Sequence, residues 1–190
     1  MSLTPTQAIF NRRTIRNYDP NFQIPKEQLD IILKAAQSAP TACDMQGADF
    51  YVVRSKELLS KINEIVINGM DDGPMKEHFK ARPKNHGVTN ATTCDATTVI
   101  LMAKNDHTLE SFVLCDAGIQ SMAIMIAAQE FGIESMCLGI LICNKKVQGD
   151  IENLLGLKKD SLMLGVALGK KLPTATVKDK VIKSKIFYKD

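Results

Sequence analysis

Apolar positions recur along this 190-residue chain at two periods, and the changes between them lay out its elements. "TPTQAIFNRR" opens with Thr4 as an N-cap and Pro5 in the first turn, which predicts a helix with Ile9 and Phe10 buried and the arginines near its end. In "IPKEQLDIILKAAQSAP", Leu29, Ile32, Leu33 and Ala36 fall at helical spacing until Pro40. "ADFYVVRS" and "ATTVILMAKND" are short, β-branched or aromatic runs and predict strands. Between them, "SKELLSKINEIVINGM" predicts a serine-capped helix. Residues 71–90 are polar and broken by Gly and Pro, a mobile excursion with some helix.

Residues 108–131 are apolar around most of a helix circumference, with Thr108 as cap and Gly132 as stop. Such a helix is buried, in a core or in an oligomer interface. "SMCLGILIC" reads as a loop into a buried run, "KKVQGDIENLLGL" as an amphipathic helix and "LMLGVALGKK" as a strand. The tail alternates apolar and basic residues and reads as extended. Helices, then strand, helix, strand, long helix, strand, helix, strand predict a single α+β domain over residues 1–190.

Composition adds bounds. A hydrophobic fraction of 45 % with 24 % charged residues suits a folded chain. The net charge is only +3, but it is unevenly placed. Residues 1–16 carry three arginines and no acid, and from Lys158 onward nine lysines face three aspartates, so the middle is acidic. Two basic ends suggest a small anionic ligand or a charged partner, and the modest total argues against nucleic acid. The five cysteines form no Cys-x-x-Cys pair; Cys115 and Cys137 read as buried free thiols in a reducing compartment. "MSLTPTQAIF" lacks the features of a signal peptide and no apolar run approaches a membrane span, so the expected location is cytoplasmic.

Strong catalytic signatures are missing. The chain has no Gly-x-Gly-x-x-Gly, His-Glu-x-x-His or Gly-x-Ser-x-Gly, and "GVALGKK" falls one residue short of P-loop spacing. His78, His86 and His107 lie in polar stretches and read as surface residues rather than metal ligands. No side-chain nucleophile or acid–base pair stands out, so an enzymatic role would rest on a bound cofactor. The densest feature is "NRRTIRNYDP". Arginine offers a planar fork of donors to phosphate. Arg12 and Arg16 are four apart and, on a helix, could converge on one ligand. Taken alone, the cluster reads as a solvated basic helix end rather than a ligand site.

Four ordered blocks resemble the nitroreductase family of flavin mononucleotide (FMN) enzymes: "RRTIRNY", "IPKEQLDIILKAAQSAPTACDMQ", "CDAGIQSMAIMIAAQEFGIESMCLG" and "LMLGVALGKKLP". The resemblance implies an α+β fold, with a mixed, mainly antiparallel sheet flanked by helices, in an intertwined homodimer. Residues 171–190 would pack on the partner subunit. It implies an FMN-dependent oxidoreductase that takes hydride from NADH or NADPH and reduces a small electron-poor acceptor, such as a nitroaromatic or quinone, by a ping-pong scheme.

Arg12, Arg13, Thr14 and Arg16 match the flavin-holding motif, with Arg12 on the phosphate and Arg16 on the ribityl chain and the N1–C2=O edge. Pro40, Thr41, Ala42 and Asp44 match a turn beside the ring, Gln120 belongs to the long-helix block, and Cys137, Leu138 and Gly139 match a loop over the ring. Lys178 and Lys180 stand where the family places basic residues for the phosphate. Departures are Asp44 for Asn, Gly47-Ala48 for Pro-Trp and Ser121 for Asn. They leave open a different flavin chemistry, reductive dehalogenation or flavin modification. A non-enzymatic binder of phosphorylated ligands would also use the basic ends.

Overall fold

The computed structural model describes residues 3–189. Four strands, β1 (Ala48–Val53), β2 (Thr98–Lys104), β3 (Glu134–Cys137) and β4 (Leu162–Gly169), form one sheet in the order β1-β2-β4-β3. Every strand pair is antiparallel; the parallel element is an isolated bridge from Thr14 to Ser135. The two central strands are buried along almost their whole length, which explains their unbroken apolar sequences. Val99 and Leu101 of β2 join one core, and Ile100 and Met102 join the other, as period-2 alternation requires.

Helices cover both faces. α2 (Lys26–Gln37) and α5 (Val113–Glu130) pack together on the Ile100 face. α3 (Lys56–Gly69) and α6 (Lys145–Leu155) pack on the Leu101 face. Gly165 permits close layering there, since a Cβ would lie 2.8 Å from Leu141 Cδ1 and 3.1 Å from Leu101 Cδ2. Ser55 and Asn144 cap α3 and α6 through their side chains.

Several expectations change. α1 (Pro5–Asn11) starts at Thr4 in a full capping box, but it buries only Ala8; Ile9 and Phe10 are exposed, at 48 % and 68 %. A seven-residue helix lying on α5 shields one short stripe and leaves the other side bare. The arginines lie beyond this helix, with Arg12 as its C-cap in extended backbone (φ −56°, ψ 127°). The helix expected within residues 71–90 is there as α4 (Pro74–His86), bounded by Gly73 and a left-handed Gly87.

Thr108 does not cap α5. Its hydroxyl bonds the carbonyls of Gly47 and Asn105, and a 3-10 turn at Glu110–Phe112 leads into the helix. The span Glu110–Glu130 is long and apolar enough to cross a membrane by composition. Its inner face carries buried Asp116, Gln120, Ser121 and Gln129 and packs on α2 and β4, which marks it as a core helix. Only Cys94 is a buried thiol; Cys115 and Cys137 are exposed, because their sides of α5 and β3 are uncovered in a single chain. After the Tyr18–Lys171 bridge, the Leu172 N–H bond to Asn17 and a turn closed by the Ala175 N–H on Leu172 O (3.0 Å), residues 175–189 form no helix or strand.

Candidate flavin-binding cavity

The segment after α1 runs across the sheet end where β2 and β3 begin. Ile15 donates its N–H to Ser135 O (3.3 Å), Tyr18 to Cys94 O (3.1 Å) and Asp19 to Lys170 O (2.8 Å). Ile15 and Tyr18 are buried plugs in the core. Two anchors of this kind fix the backbone between them, and Arg16 therefore leaves it in a set direction. Beyond the helix, the four-residue spacing no longer brings Arg12 and Arg16 onto one face. The Arg13 side chain folds back onto the carbonyls of Phe10 (2.5 Å) and Arg12 (3.0 Å), so it caps the C-terminus of α1.

Arg16 lines a cavity of about 440 Å³ together with Phe79 and Arg82 of α4 and residues Met136 to Ile140. That volume suits a cofactor-sized ligand. Arg82 is buried, donates Nη1 to Ala91 O (3.0 Å) and stacks its guanidinium 3.6 Å above the Phe79 ring. The Nε atoms of both Arg16 and Arg82 are buried with no partner. Burying such donors unpaired costs about 1–3 kcal/mol each, which favours a ligand that accepts from them.

Charge in the cavity is one-sided. All eight ion pairs among the described residues involve lysine, and none involves an arginine. Burial pulls the Arg82 pKa down, and the Arg16 charge adds to that. His86, at the end of α4, is also pushed below the ordinary histidine value, first by burial and then by Arg16, Arg82, His78 and Lys178. Arg16, Arg82 and Lys178 thus act on one imidazole, with no acid among the groups that shift it. Cys137 is exposed as a residue, but the pKa of its partly buried thiol, against Met125 Sδ (3.7 Å), is raised by desolvation, while Ser121 and the Arg12 charge act the other way.

The structure thus gathers Arg16, Cys137, Leu138 and Gly139 around one cavity, with Arg12 close enough to act on Cys137; Lys178 acts on His86, which lies outside the lining. Thr14 sits at the bridge to Ser135, whose buried hydroxyl is also unpartnered. Gln120 is buried in α5 with an unpartnered Oε1. Lys180 is exposed in the tail.

Pro40, Thr41, Ala42 and Asp44 lie elsewhere and do not line this cavity. Their turn is held by the Asp116 carboxylate, which accepts the Ala42 N–H (3.0 Å), and by Thr41 Oγ1, which accepts the Gln46 N–H (3.0 Å). Cys43, Asp44 and Gln46 all have left-handed backbone there, and Asp44 accepts a bond from the Gln46 amide. Sequence reasoning missed Phe79 and Arg82. They sit in a polar segment with weak periodicity, and nothing local distinguishes a buried arginine from a solvated one.

The sequence profile of the Nitroreductase family matches residues 9–170. A protein of Methanothermobacter thermautotrophicus, provisionally named an NADH dehydrogenase/NAD(P)H nitroreductase, is 29 % identical over 143 residues, covering 75 % of this chain and 64 % of its own length. An enone reductase of conjugated linoleic acid biosynthesis from Lactiplantibacillus plantarum is 36 % identical over 60 residues, 32 % of this chain and 28 % of its own length. This chain therefore covers less than two thirds of both relatives. Among solved structures, a nitroreductase with bound FMN from Desulfitobacterium hafniense superposes with a TM-score of 0.80 at 22 % identity over 100 % of both chains. One from Bacteroides fragilis, also with bound FMN, gives 0.79 at 22 % identity over 98 % of both. With the profile spanning most of the chain and the fold shared end to end, this chain belongs to the Nitroreductase family.

Proposed function

We propose that this chain is an FMN-dependent oxidoreductase whose flavin lies in the cavity between Arg16, α4 and the Met136–Ile140 segment. The observation that carries the reading is the pair of guanidinium groups there, each with an unpartnered buried Nε and no carboxylate to neutralise it. An anionic, multiply accepting ligand answers both needs, and FMN has a phosphate and a ring edge rich in acceptors. Arg12 and Thr14 would hold the phosphate, joined by Lys178 and Lys180 from the tail. Arg16, and with it Arg82, would face the N1–C2=O edge, where fixed cations favour negative charge. Leu138 and Gly139 would lie along the ring.

Bound FMN supplies the redox chemistry, accepting hydride from NADH or NADPH and delivering it to an electron-poor acceptor such as a nitroaromatic or quinone in a ping-pong cycle. The protein contributes binding, orientation and charge; no side chain is needed as a nucleophile. The working unit in this reading is a homodimer. Exposed Ile9 and Phe10 of α1, Phe112 before α5, and Leu114 and Ile119 of α5 form an apolar surface larger in extent than isolated exposed residues. A second copy would cover it, and the exposed tail would reach the partner. The Pro40–Asp44 turn would then serve the neighbouring subunit's flavin.

Purified protein is expected to show a flavin absorption spectrum and to release FMN on denaturation. Arg16→Gln should lower flavin retention at least tenfold, in line with the loss of a charge-assisted bond. A colourless protein that cannot be reconstituted with FMN would sink the reading, and unchanged retention in Arg16→Gln would remove Arg16 from the site.

A further inference from the structure

A second cavity, of about 410 Å³, opens at the sheet end where β1 leaves and β2 enters. Its walls come from Arg54 and Lys56 at the β1–α3 junction, Leu59 and Asn63 on the first turns of α3, and Thr93 and Ala96 in the loop before β2. That loop also borders the flavin cavity from behind, since Ala91 O accepts from Arg82 and Cys94 O accepts the Tyr18 N–H. The two cavities share a wall, but none of their lining residues coincide.

Thr93 is the unsatisfied group. The residue is 1 % exposed, and its hydroxyl is buried with no partner. Among the residues that line this cavity no other buried side-chain N or O atom lacks a partner, although Arg82 Nε and Tyr18 Oη, behind the loop, do. The Asn90 side-chain Oδ1 takes the N–H groups of Thr92 (3.0 Å) and Thr93 (2.8 Å), and the Thr92 hydroxyl donates to Asn63 Oδ1 (3.0 Å). A hydroxyl left over from so complete a network, on the wall of a cavity, lacks the partner a ligand would supply.

The charge of the wall selects the ligand. Asp95 is its one acid, and both carboxylate oxygens are taken by the Thr89 N–H and hydroxyl and by the Asn90 N–H (2.7 Å). Arg54 is held by Nη2 bonds to Gln23 Oε1 (3.3 Å) and Ile24 O (3.0 Å), which orient the guanidinium and leave its other donors without a protein partner. Lys56, the first residue of α3, makes no ion pair, and the helix N-terminus adds to its field. Leu59 and Ala96 supply an apolar floor.

We propose that this cavity is a second ligand site that takes a compact organic oxyanion, a carboxylate or a phosphate monoester, with its charged end on Arg54 and Lys56 and an acceptor oxygen on the Thr93 hydroxyl. The proposal does not depend on the flavin reading.

The test uses the whole 190-residue chain, with and without added FMN, labelled at threonine methyls. Inorganic phosphate and acetate are titrated separately while the Thr93 methyl resonance is followed, and the two arms separate phosphate from carboxylate preference. One saturable site per chain is expected for at least one anion. Its affinity should fall at least tenfold in Arg54→Gln/Lys56→Gln and several-fold in Thr93→Val, with FMN content and turnover unchanged. It should survive Arg16→Gln, which keeps the test distinct from failure of the flavin site. Thr93→Val should also melt at or above the wild-type temperature, because it removes an unpaired buried hydroxyl. The proposal is overturned by absence of saturable binding for both anions, by undiminished binding in Arg54→Gln/Lys56→Gln, by its loss in Arg16→Gln, or by a lowered melting temperature in Thr93→Val.

Discussion

His86 reports on the charge around it. Its pKa lies below the ordinary histidine value because burial and surrounding cations, Arg16 and Arg82 first among them, penalise the imidazolium. The sign follows from linkage. The folded chain prefers neutral His86, so the contribution to stability is present above the ordinary histidine pKa and is lost as pH falls through the lowered one. FMN-free protein should therefore lose stability as pH falls below the ordinary histidine pKa, and His86→Gln should flatten that slope. Bound phosphate should reverse the field and move the His86 titration upward, which NMR of the imidazole protons can follow. A titration that FMN leaves in place would separate His86 from the anion site. Of the residues involved, Arg16 was legible from the motif around it. Arg82 was not, because burial of an arginine is decided by α4 packing over a cavity, not by its neighbours in sequence.

Elements formed where local rules were strong. Thr4, Ser55 and Asn144 cap their helices through their side chains, and β2 and β4 occupy the continuous apolar runs. Elements went astray where a local signal had a distant use. Thr108 resembles a helix cap, yet it fastens the Asn105–Thr108 turn to Gly47. That contact also explains glycine at position 47: a Cβ there would lie 2.7 Å from Thr108 Cα, a backbone atom that can yield only if the whole turn moves. Gly47→Ala should cost about 1–3 kcal/mol, read as a lower denaturant midpoint with unchanged slope. An unaltered midpoint would mean that the turn is softer than its hydrogen bonds suggest. The departure from the family's Pro-Trp pair is thus structural at its first position, where the neighbouring turn leaves no room for a side chain.

At the scale of the molecule, the single chain leaves apolar surface uncovered on α1, α5 and the tail, including Phe10, Leu114 and Phe187. With a homodimer as the working unit, Leu114→Glu should shift sedimentation from dimer to monomer at micromolar concentration. Flavin retention should fall with it, because the Pro40–Asp44 turn belongs to the other subunit's site in that reading. Wild-type protein that sediments as a monomer with full flavin content would defeat both statements. Sequence by itself determined the family and the α+β layout around one sheet, and it singled out the arginine cluster as a candidate site, since periodicity, caps and ordered motifs are local and survive without coordinates. Tertiary structure alone decided which arginines share a cavity, which one caps a helix and which hydroxyl is left unpaired. Those outcomes depend on distant backbone approaching in space: Ser135 and Cys94 hold the Arg12–Tyr18 segment, and Ala91 holds Arg82. No spacing along the chain encodes such contacts.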